Sequence, residues 1–202
     1  MSRLLLVSGM GRCGTSLVMG MLDAGGYPVE CPPQCRGNSY EDTRVHGLIG
    51  EPHLDCVRWL EGATGRAVKL LDPHKFRLPE SLRLSSRAIW LTRDLAEQAK
   101  SQWKFMRAMF PEYTGGRDKR EAAQAIERSL RREQPEALAA LPDDRLHLRF
   151  EDVLAHPTAA AVLLADFLGM KLDLDAMVAR VQPRSPHCAP TLAMERFLVG
   201  GP

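Results

Sequence analysis

Short runs of apolar residues alternate with longer stretches of helical periodicity along most of this chain. The apolar runs predict buried strands at residues 3–8 and 67–71 and two further strands at 87–92 and 146–150. Helical spacing predicts helices at residues 15–22, 41–62 with an interruption at 50–52, 79–84, 94–110, 117–140 and 158–169. Strands that alternate with helices indicate an α/β fold, in which a mainly parallel sheet lies between two helical layers in a three-layer αβα arrangement.

Two segments add to this outline. Residues 26–40 contain three prolines and two glycines, so we expect a long irregular loop there, and loops of that length are usually functional. In the helix predicted at residues 94–110, Trp103, Met106 and Phe110 recur at helical spacing, which predicts that all three pack in the core.

Composition and charge narrow the classes of protein that remain. A chain of 202 residues that is 45% hydrophobic and 26% charged predicts one globular domain over residues 1–202. A net charge of +2 gives no reason to expect nucleic acid or a membrane surface as partner, and no apolar run approaches the roughly 18 residues of a membrane span.

The cysteines and histidines predict neither disulfides nor a metal site. Five cysteines, an odd number without a CxxC pair, favour a reducing, cytoplasmic setting. One group of cysteines and histidines could be drawn as a zinc site, but its spacings match no standard pair of zinc ligands. Its members are Cys31, Cys35, His46, His53 and Cys56.

A glycine-rich loop at residues 8–17 separates the first strand from the first helix. Backbone N–H groups converge at such a junction and the helix dipole favours an anion, so the loop is typical of a phosphate site. Gly9 and Gly14 have the spacing of the nucleotide-binding P-loop, but Thr15 stands where that motif has its lysine. The cation of this loop is Arg12.

A second candidate site follows the strand at residues 87–92. Arg93 leaves the carboxyl end of that strand, where open α/β sheets bind ligands, and Ser101 lies about two turns into the next helix. Both can reach one phosphate if the helix folds back over the sheet. Asp94 is suited to cap that helix, and Glu151 to a similar capping or loop-pairing role.

These segments together resemble the sulfotransferases that use 3'-phosphoadenosine 5'-phosphosulfate (PAPS). The resemblance rests on Gly-x-x-Arg-x-Gly-Thr-Ser-Leu at residues 9–17, on Arg93 with Ser101, and on residues 148–169 with their Glu-Asp and Phe-Leu-Gly elements. It implies a P-loop NTPase-like topology and sulfuryl transfer from PAPS to a hydroxyl or amine of a small-molecule or carbohydrate acceptor, with no metal. The implied donor-binding residues are Gly11, Arg12, Cys13, Gly14, Thr15, Ser16, Arg93 and Ser101.

The catalytic base has two candidates. Glu41 lies in a segment, residues 37–42, that resembles the Asn…Gly-Tyr-x-Glu element of several bacterial sulfotransferases, and it is the first choice. His74 follows the second strand, at another crevice-facing edge, and imidazole suits the role near neutral pH. The family often has a lysine two residues before a proline at this strand end, where this chain has Leu71, and Lys69 is preferred to Lys75 as its replacement.

Three further expectations remain open at this point. Since helix N-termini lower thiol pKa values, the Cys13 thiol is expected to react with alkylating agents. A kinase with a degenerate P-loop, using ATP and magnesium, is one alternative function. A catalytically inactive nucleotide-binding module is the other.

Overall fold

The computed structural model describes residues 3–116, 118–183 and 187. In these ranges the strands are β1 (Leu4–Gly9), β2 (Val29–Glu30), β3 (Ala67–Leu71), β4 (Ser86–Thr92) and β5 (Arg145–Arg149). They form one parallel sheet in the order β2-β3-β1-β4-β5. The parallel sheet predicted from the alternating pattern is therefore confirmed.

Helices connect these strands and cover both faces of the sheet. Among the described residues the α-helices are α1 (Thr15–Ala24), α2 (Leu54–Gly62), α3 (Glu80–Ser85), α4 (Leu95–Met109), α5 (Pro111–Thr114), α6 (Lys119–Ala139), α7 (Phe150–Ala155), α8 (Pro157–Leu168) and α9 (Leu174–Ala179). Short 3-10 helices lie at Pro33–Cys35, Thr43–Leu48 and Pro73–Lys75.

The central strand β1 is buried along its whole length, and its side chains divide between two cores. Leu5 and Val7 pack with apolar residues of α1, α8 and α9 on one face of the sheet. Leu4 and Leu6 pack with α2, α4 and α6 on the other face. A strand covered on both faces needs apolar residues at successive positions, which explains the unbroken Leu4–Val7 run. The three-layer arrangement predicted for the chain is confirmed.

The register of the sheet brings three strand ends together. Gly9, the last residue of β1, lies opposite Leu71 of β3 on one side and Leu91 of β4 on the other. The segments that follow these strands therefore meet at one edge, and they contain the glycine-rich loop, the 3-10 helix Pro73–Lys75 and Arg93.

The structure corrects several predicted boundaries. The loop expected at residues 26–40 contains strand β2, which is too short to show a periodic pattern between its flanking prolines. The helix expected at 41–62 begins only at Leu54, because residues 43–48 form a 3-10 helix. In α4, Trp103 is buried as predicted, but the prediction was wrong for Phe110, which caps the carboxyl end of the helix and is 45% exposed.

The single domain over residues 1–202 stays a prediction. Cys188 and most of the C-terminal stretch from residue 184 onward lie outside the described residues.

Replacing Leu6 tests the sheet as the centre of the fold. Leu6 is fully buried in the central strand, so Leu6→Ala should lower the free energy of unfolding by about 2–5 kcal/mol through lost burial and the cavity left behind. Urea denaturation monitored by circular dichroism measures this. The matched control is Leu84→Ala, at a position 65% exposed, which should change stability by no more than about 0.5 kcal/mol. Equal effects of the two substitutions would contradict the placement of β1.

Candidate functional site

The glycine-rich loop between β1 and α1 contains two residues with positive φ. Arg12 has φ 69° and Gly14 has φ 108°, both in the left-handed region. At Gly14 a β-carbon would lie 2.4 Å from a ring carbon of Phe150, the first residue of α7. Glycine is therefore required at position 14 for two reasons. Its φ is in the left-handed region, and a side chain there would clash with the Phe150 ring. The turn leads directly into the N-terminus of α1, whose first turn carries no acidic side chain.

Three side chains from other elements fix this loop. Gln98 of α4 is buried and donates its Nε2 to the carbonyl oxygens of Met10 (3.1 Å) and Gly11 (2.7 Å). The N–H of Gly11 donates to Oδ1 of Asp72 (2.9 Å), just after β3. Arg93 donates from a terminal guanidinium nitrogen to the carbonyl oxygen of Arg12 (3.3 Å).

Sequence reasoning missed Gln98 and Asp72 as anchors of the loop. The available signals were their positions: Asp72 follows the strand next to β1, and Gln98 lies one turn before Ser101 on the same helix. Neither signal distinguishes an anchor from an ordinary surface residue until the path of α4 is known.

The residues predicted to hold the two phosphate groups of the donor lie close together. Arg12 donates its Nε to Oγ of Ser101 at 3.3 Å, and its guanidinium lies 5.3 Å from the centroid of the Phe105 ring. Arg93 contacts the backbone of Arg12 and lies 4.7 Å from the centroid of the Phe150 ring. Helix α4 thus crosses the loop instead of leading away from it, as the pairing of Arg93 with Ser101 requires.

The two predicted capping roles beside Arg93 are confirmed. Asp94 caps α4 by accepting the N–H of Glu97 at 2.9 Å. Glu151 accepts the N–H of Asp94 at 2.9 Å, which ties the start of α7 to the turn after β4.

Lys69 is a buried cation with three oxygen partners. Its side chain is 2% exposed, and its Nζ donates to Oγ of Ser16 (2.9 Å), to the carbonyl oxygen of Ser39 (2.8 Å) and to Oε1 of Glu41 (3.0 Å). Burial lowers the pKa of Lys69 below its ordinary value, and the neighbouring Glu41 carboxylate partly offsets that effect. One ammonium group therefore joins the start of α1 to the segment that carries Glu41.

The segment around Glu41 is anchored on both sides. Tyr40 has φ 55°, is buried, and donates its hydroxyl to Asp23 of α1 at 3.0 Å. Asp42 is buried and pairs with Arg44, whose guanidinium lies 4.2 Å from the centroid of the Trp59 ring. Glu41 itself is half exposed. The structure thus presents one carboxylate oxygen of Glu41 to Lys69 and leaves much of the side chain open to solvent.

The other candidate base faces a different element. Nε2 of His74 lies 3.4 Å from a carboxylate oxygen of Glu133 in α6, while its Nδ1 is buried without a hydrogen-bond partner among the described residues. Lys75 is exposed and contacts Asp72 at 3.2 Å. Lys69 and Glu41 thus lie together at the start of α1. His74 instead pairs with Glu133 of α6.

The expectation that Cys13 is a reactive thiol was wrong. The side chain is fully enclosed by the core beneath the loop, and burial raises the pKa of the Cys13 thiol to about 12. The backbone N–H of Thr15 at the helix start lowers the pKa of this thiol, but desolvation raises it by more. Any contribution of Cys13 to anion binding falls to its backbone.

The arrangement of the described residues also bears on metal binding and on membrane insertion. In that part of the chain, no group of three or more His, Cys, Asp or Glu side chains is arranged to hold a metal ion. Nor does any helix there combine the length and the apolar character that crossing a membrane requires.

Comparison with known proteins gives matches of structure but not of sequence. No family model matches the chain, and no curated protein matches its sequence. A solved sulfotransferase domain from the curacin biosynthetic pathway is similar, with a TM-score of 0.57 and 18% identity, over 98% of this chain and 86% of that one. The chain has the sulfotransferase fold.

Two crystal structures of retinol dehydratase show the same sulfotransferase fold. One, in complex with androsterone and the inactive cofactor PAP, has a TM-score of 0.56 and 19% identity over 88% of this chain. The other, with retinol and PAP, has a TM-score of 0.55 and 19% identity over 86% of this chain. This chain spans only 63% and 62% of the length of those two proteins. The predicted P-loop NTPase-like topology is confirmed.

Alkylation tests the buried state of Cys13 in this sulfotransferase fold. Because its thiol is enclosed and its pKa is about 12, iodoacetamide at pH 8 should leave Cys13 unmodified in the folded protein while the partly exposed Cys35 reacts. Peptide mass spectrometry after timed quenching measures both. In guanidinium chloride the two cysteines should react at similar rates, and rapid modification of Cys13 in the folded protein would contradict the packing described.

Proposed function

We propose that this protein is a sulfotransferase that moves the sulfuryl group of PAPS to a hydroxyl or amine of an acceptor. The observation that carries the proposal is the Lys69 ammonium, which contacts both Ser16 at the start of α1 and Glu41. A phosphate site and an acidic side chain able to accept a proton are thereby held side by side. Such an arrangement serves group transfer better than simple nucleotide storage.

The donor is proposed to bind along the loop and α4. The 5'-phosphosulfate would lie against the backbone of residues 11–16 and the N-terminus of α1, with Arg12 as its cation. The 3'-phosphate would be bound by Arg93 and Ser101. The contact between Arg12 and Ser101 supports this assignment because it puts the two predicted phosphate sites within the span of one nucleotide. The PAP ligand of both retinol dehydratase structures is in keeping with PAPS as donor.

The transfer step needs a proton acceptor and cations, and the chain supplies both. As the acceptor oxygen or nitrogen forms its bond to sulfur, its proton passes to the Glu41 carboxylate. The bond between sulfur and the bridging oxygen breaks, and PAP, adenosine 3',5'-bisphosphate, leaves with the added negative charge. Once Glu41 is neutral, the Lys69 ammonium is available to that bridging oxygen, together with Arg12.

Lys69 fits the role of the missing strand-end cation. It lies on the same face of β3 as Leu71, the position where the family often has lysine, and its Nζ reaches Ser16 next to the loop. The two oxygens of the Asp72 carboxylate accept the Gly11 N–H and contact Lys75.

We propose a small-molecule or carbohydrate acceptor, since androsterone and retinol accompany PAP in the two retinol dehydratase structures.

Titration with PAP tests the donor site without knowledge of the acceptor. Isothermal calorimetry should show micromolar or tighter binding, and Arg93→Ala should weaken it about ten- to hundredfold by removing charge-assisted hydrogen bonds. The matched control is Arg128→Ala, an exposed arginine of α6, which should bind PAP as the unmodified protein does. Preference for ATP with magnesium would favour phosphoryl transfer, and absence of PAP binding would refute the proposal.

Substitution of the two candidate bases tests the transfer step. Transfer of sulfur-35 from labelled PAPS is followed with 4-nitrophenol and glucosamine as hydroxyl and amine acceptors. Glu41→Gln keeps a hydrogen-bond acceptor for Lys69 but cannot take the proton, so the rate should fall by about two to four decades while PAP affinity is retained. Arg12→Ala should abolish turnover. His74→Gln, which removes the rival base, should change the rate little; if it causes the loss instead, the base is His74.

A further inference from the structure

Two of the three oxygen atoms that accept from the Lys69 ammonium belong to residues on either side of Tyr40. They are the carbonyl oxygen of Ser39, at 2.8 Å, and Oε1 of Glu41, at 3.0 Å. In an extended chain, a carbonyl group and a side chain two residues later point in different directions. Tyr40 has φ 55°, in the left-handed region, and the turn that it makes brings both oxygens to one cation.

This left-handed conformation is unfavourable for a large aromatic residue. The β-carbon crowds the following carbonyl oxygen, so a bulky side chain persists there only where the surrounding structure holds it. Three contacts hold Tyr40. Its ring is buried in the core that includes α1, its N–H donates to the carbonyl oxygen of Cys35 at 2.9 Å, and its hydroxyl donates to Oδ2 of Asp23 at 3.0 Å.

Asp23 is an ionised acceptor for the Tyr40 hydroxyl. Arg36 donates to it as well, from Nε at 3.1 Å and from a terminal nitrogen at 2.6 Å. Burial by itself raises the pKa of Asp23, but the hydrogen bonds from Arg36 and Tyr40 outweigh burial and hold that pKa below its ordinary value. The bond from Tyr40 is therefore charge-assisted and strong.

Helix α1 connects this contact to the proposed donor site. Near the start of the helix, Oγ of Ser16 accepts from Lys69 at 2.9 Å, and near its end Asp23 accepts from Tyr40. The two helical residues are about two turns apart on one rigid element. The turn at Tyr40, and with it Glu41, is thereby fixed relative to the helix that begins at the glycine-rich loop.

Tyr40 is not itself placed to take the acceptor proton. Its side chain is buried and its hydroxyl is bound to Asp23, whereas the Glu41 side chain is half exposed. Burial raises the pKa of the Tyr40 hydroxyl, and Asp23 raises it further. An effect of Tyr40 on the transfer step must therefore act through Glu41.

We propose that Tyr40 and Asp23 are a positioning pair for the transfer step, in which their hydrogen bond holds the turn that directs Glu41 to Lys69. The inference rests on the proposed function, because it concerns the base of that reaction. It assigns a role to two residues outside the donor-binding set and the candidate bases. When the bond is lost, the carboxylate is less often in line with the acceptor proton, and small displacements of a reacting group slow a reaction strongly.

Removal of the Tyr40 hydroxyl tests the pair. Sulfur-35 transfer from PAPS to 4-nitrophenol and glucosamine is measured, and circular dichroism checks that each variant is folded. Tyr40→Phe should lower kcat by about ten- to hundredfold, while KM for PAPS and the affinity for PAP stay the same. The matched control is Tyr27→Phe, the same chemical change at a buried tyrosine of the same core, which should keep kcat.

A double-mutant cycle shows whether the effect passes through Glu41. Added to Glu41→Gln, Tyr40→Phe should cause no further loss of rate, because the group that it positions no longer takes the proton. A general loosening of the fold would instead lower the rate by the same factor in both backgrounds.

Substitution of Asp23 tests the same bond from its other side. Asp23→Ala should reproduce the loss of kcat with PAP affinity retained, and it decides the question if Tyr40→Phe does not fold. Arg36→Ala removes the other partner of Asp23. It should change kcat by less than about threefold, because the Arg36 side chain is exposed and ion pairs of that kind contribute little.

The outcomes separate this inference from the proposed function. Absence of PAP binding or of sulfuryl transfer in the unmodified protein would refute the proposed function, and an undiminished rate in Glu41→Gln would remove the basis of the inference while leaving sulfuryl transfer intact. If these measurements are as expected, the inference is overturned by an unchanged kcat in Tyr40→Phe, by an equal loss in Tyr27→Phe or Arg36→Ala, by a parallel loss of PAP affinity, or by a full further loss in the Glu41→Gln background.

Discussion

A buried ammonium group imposes the central constraint on this structure. Removing the Lys69 charge from water is costly unless it is paired and fully hydrogen-bonded, so its partners must occupy fixed positions whenever the chain is folded. Those partners come from the start of α1 and from residues 39–41, two segments that share no strand of the sheet. Satisfying one cation thus orders both the loop proposed for the donor and the carboxylate proposed as base.

The second determinant of the site is the path of α4. Instead of descending directly along the sheet, the helix crosses the glycine-rich loop and contacts it through Gln98, Ser101 and Phe105. A loop of this kind has few side chains of its own with which to hold a shape. The shape of the loop is held by α4, because a helix supplies regularly spaced contacts that the loop itself cannot. The position of Arg12 therefore depends on α4 and on the segments that follow β3 and β4.

Much of the fold was predictable because its signals are local. The apolar runs of β1, β3 and β4 predict strands buried on both faces, and Asp94 predicts the start of α4. The glycine-rich loop and Arg93 could be placed at one edge because parallel strands end together. The anchoring roles of Asp72 and Gln98 were not predictable, since they depend on the direction in which α4 crosses the loop.

The extent of burial of Cys13 and Phe110 could not be predicted from the sequence either. At Cys13 the helix terminus and the surrounding core have opposite effects on the thiol, and only the packing shows which dominates. The same holds for Phe110, whose helical spacing matches that of the buried Trp103 but whose position at the helix end leaves it exposed. Periodicity identifies a face of a helix, and tertiary contacts decide how far along the helix that face is covered.

The contact between Gly14 and Phe150 has a consequence for how the chain acquires its site during synthesis. The ring that packs against the loop belongs to a helix that follows the last strand of the sheet. On the ribosome, where chains emerge from the N-terminus, the loop is among the first segments available and its packing partner is among the last. A nascent chain that has completed α4 contains every residue proposed to contact the nucleotide and still lacks the ring that packs against their turn. Nucleotide binding should therefore begin only after α7 has emerged.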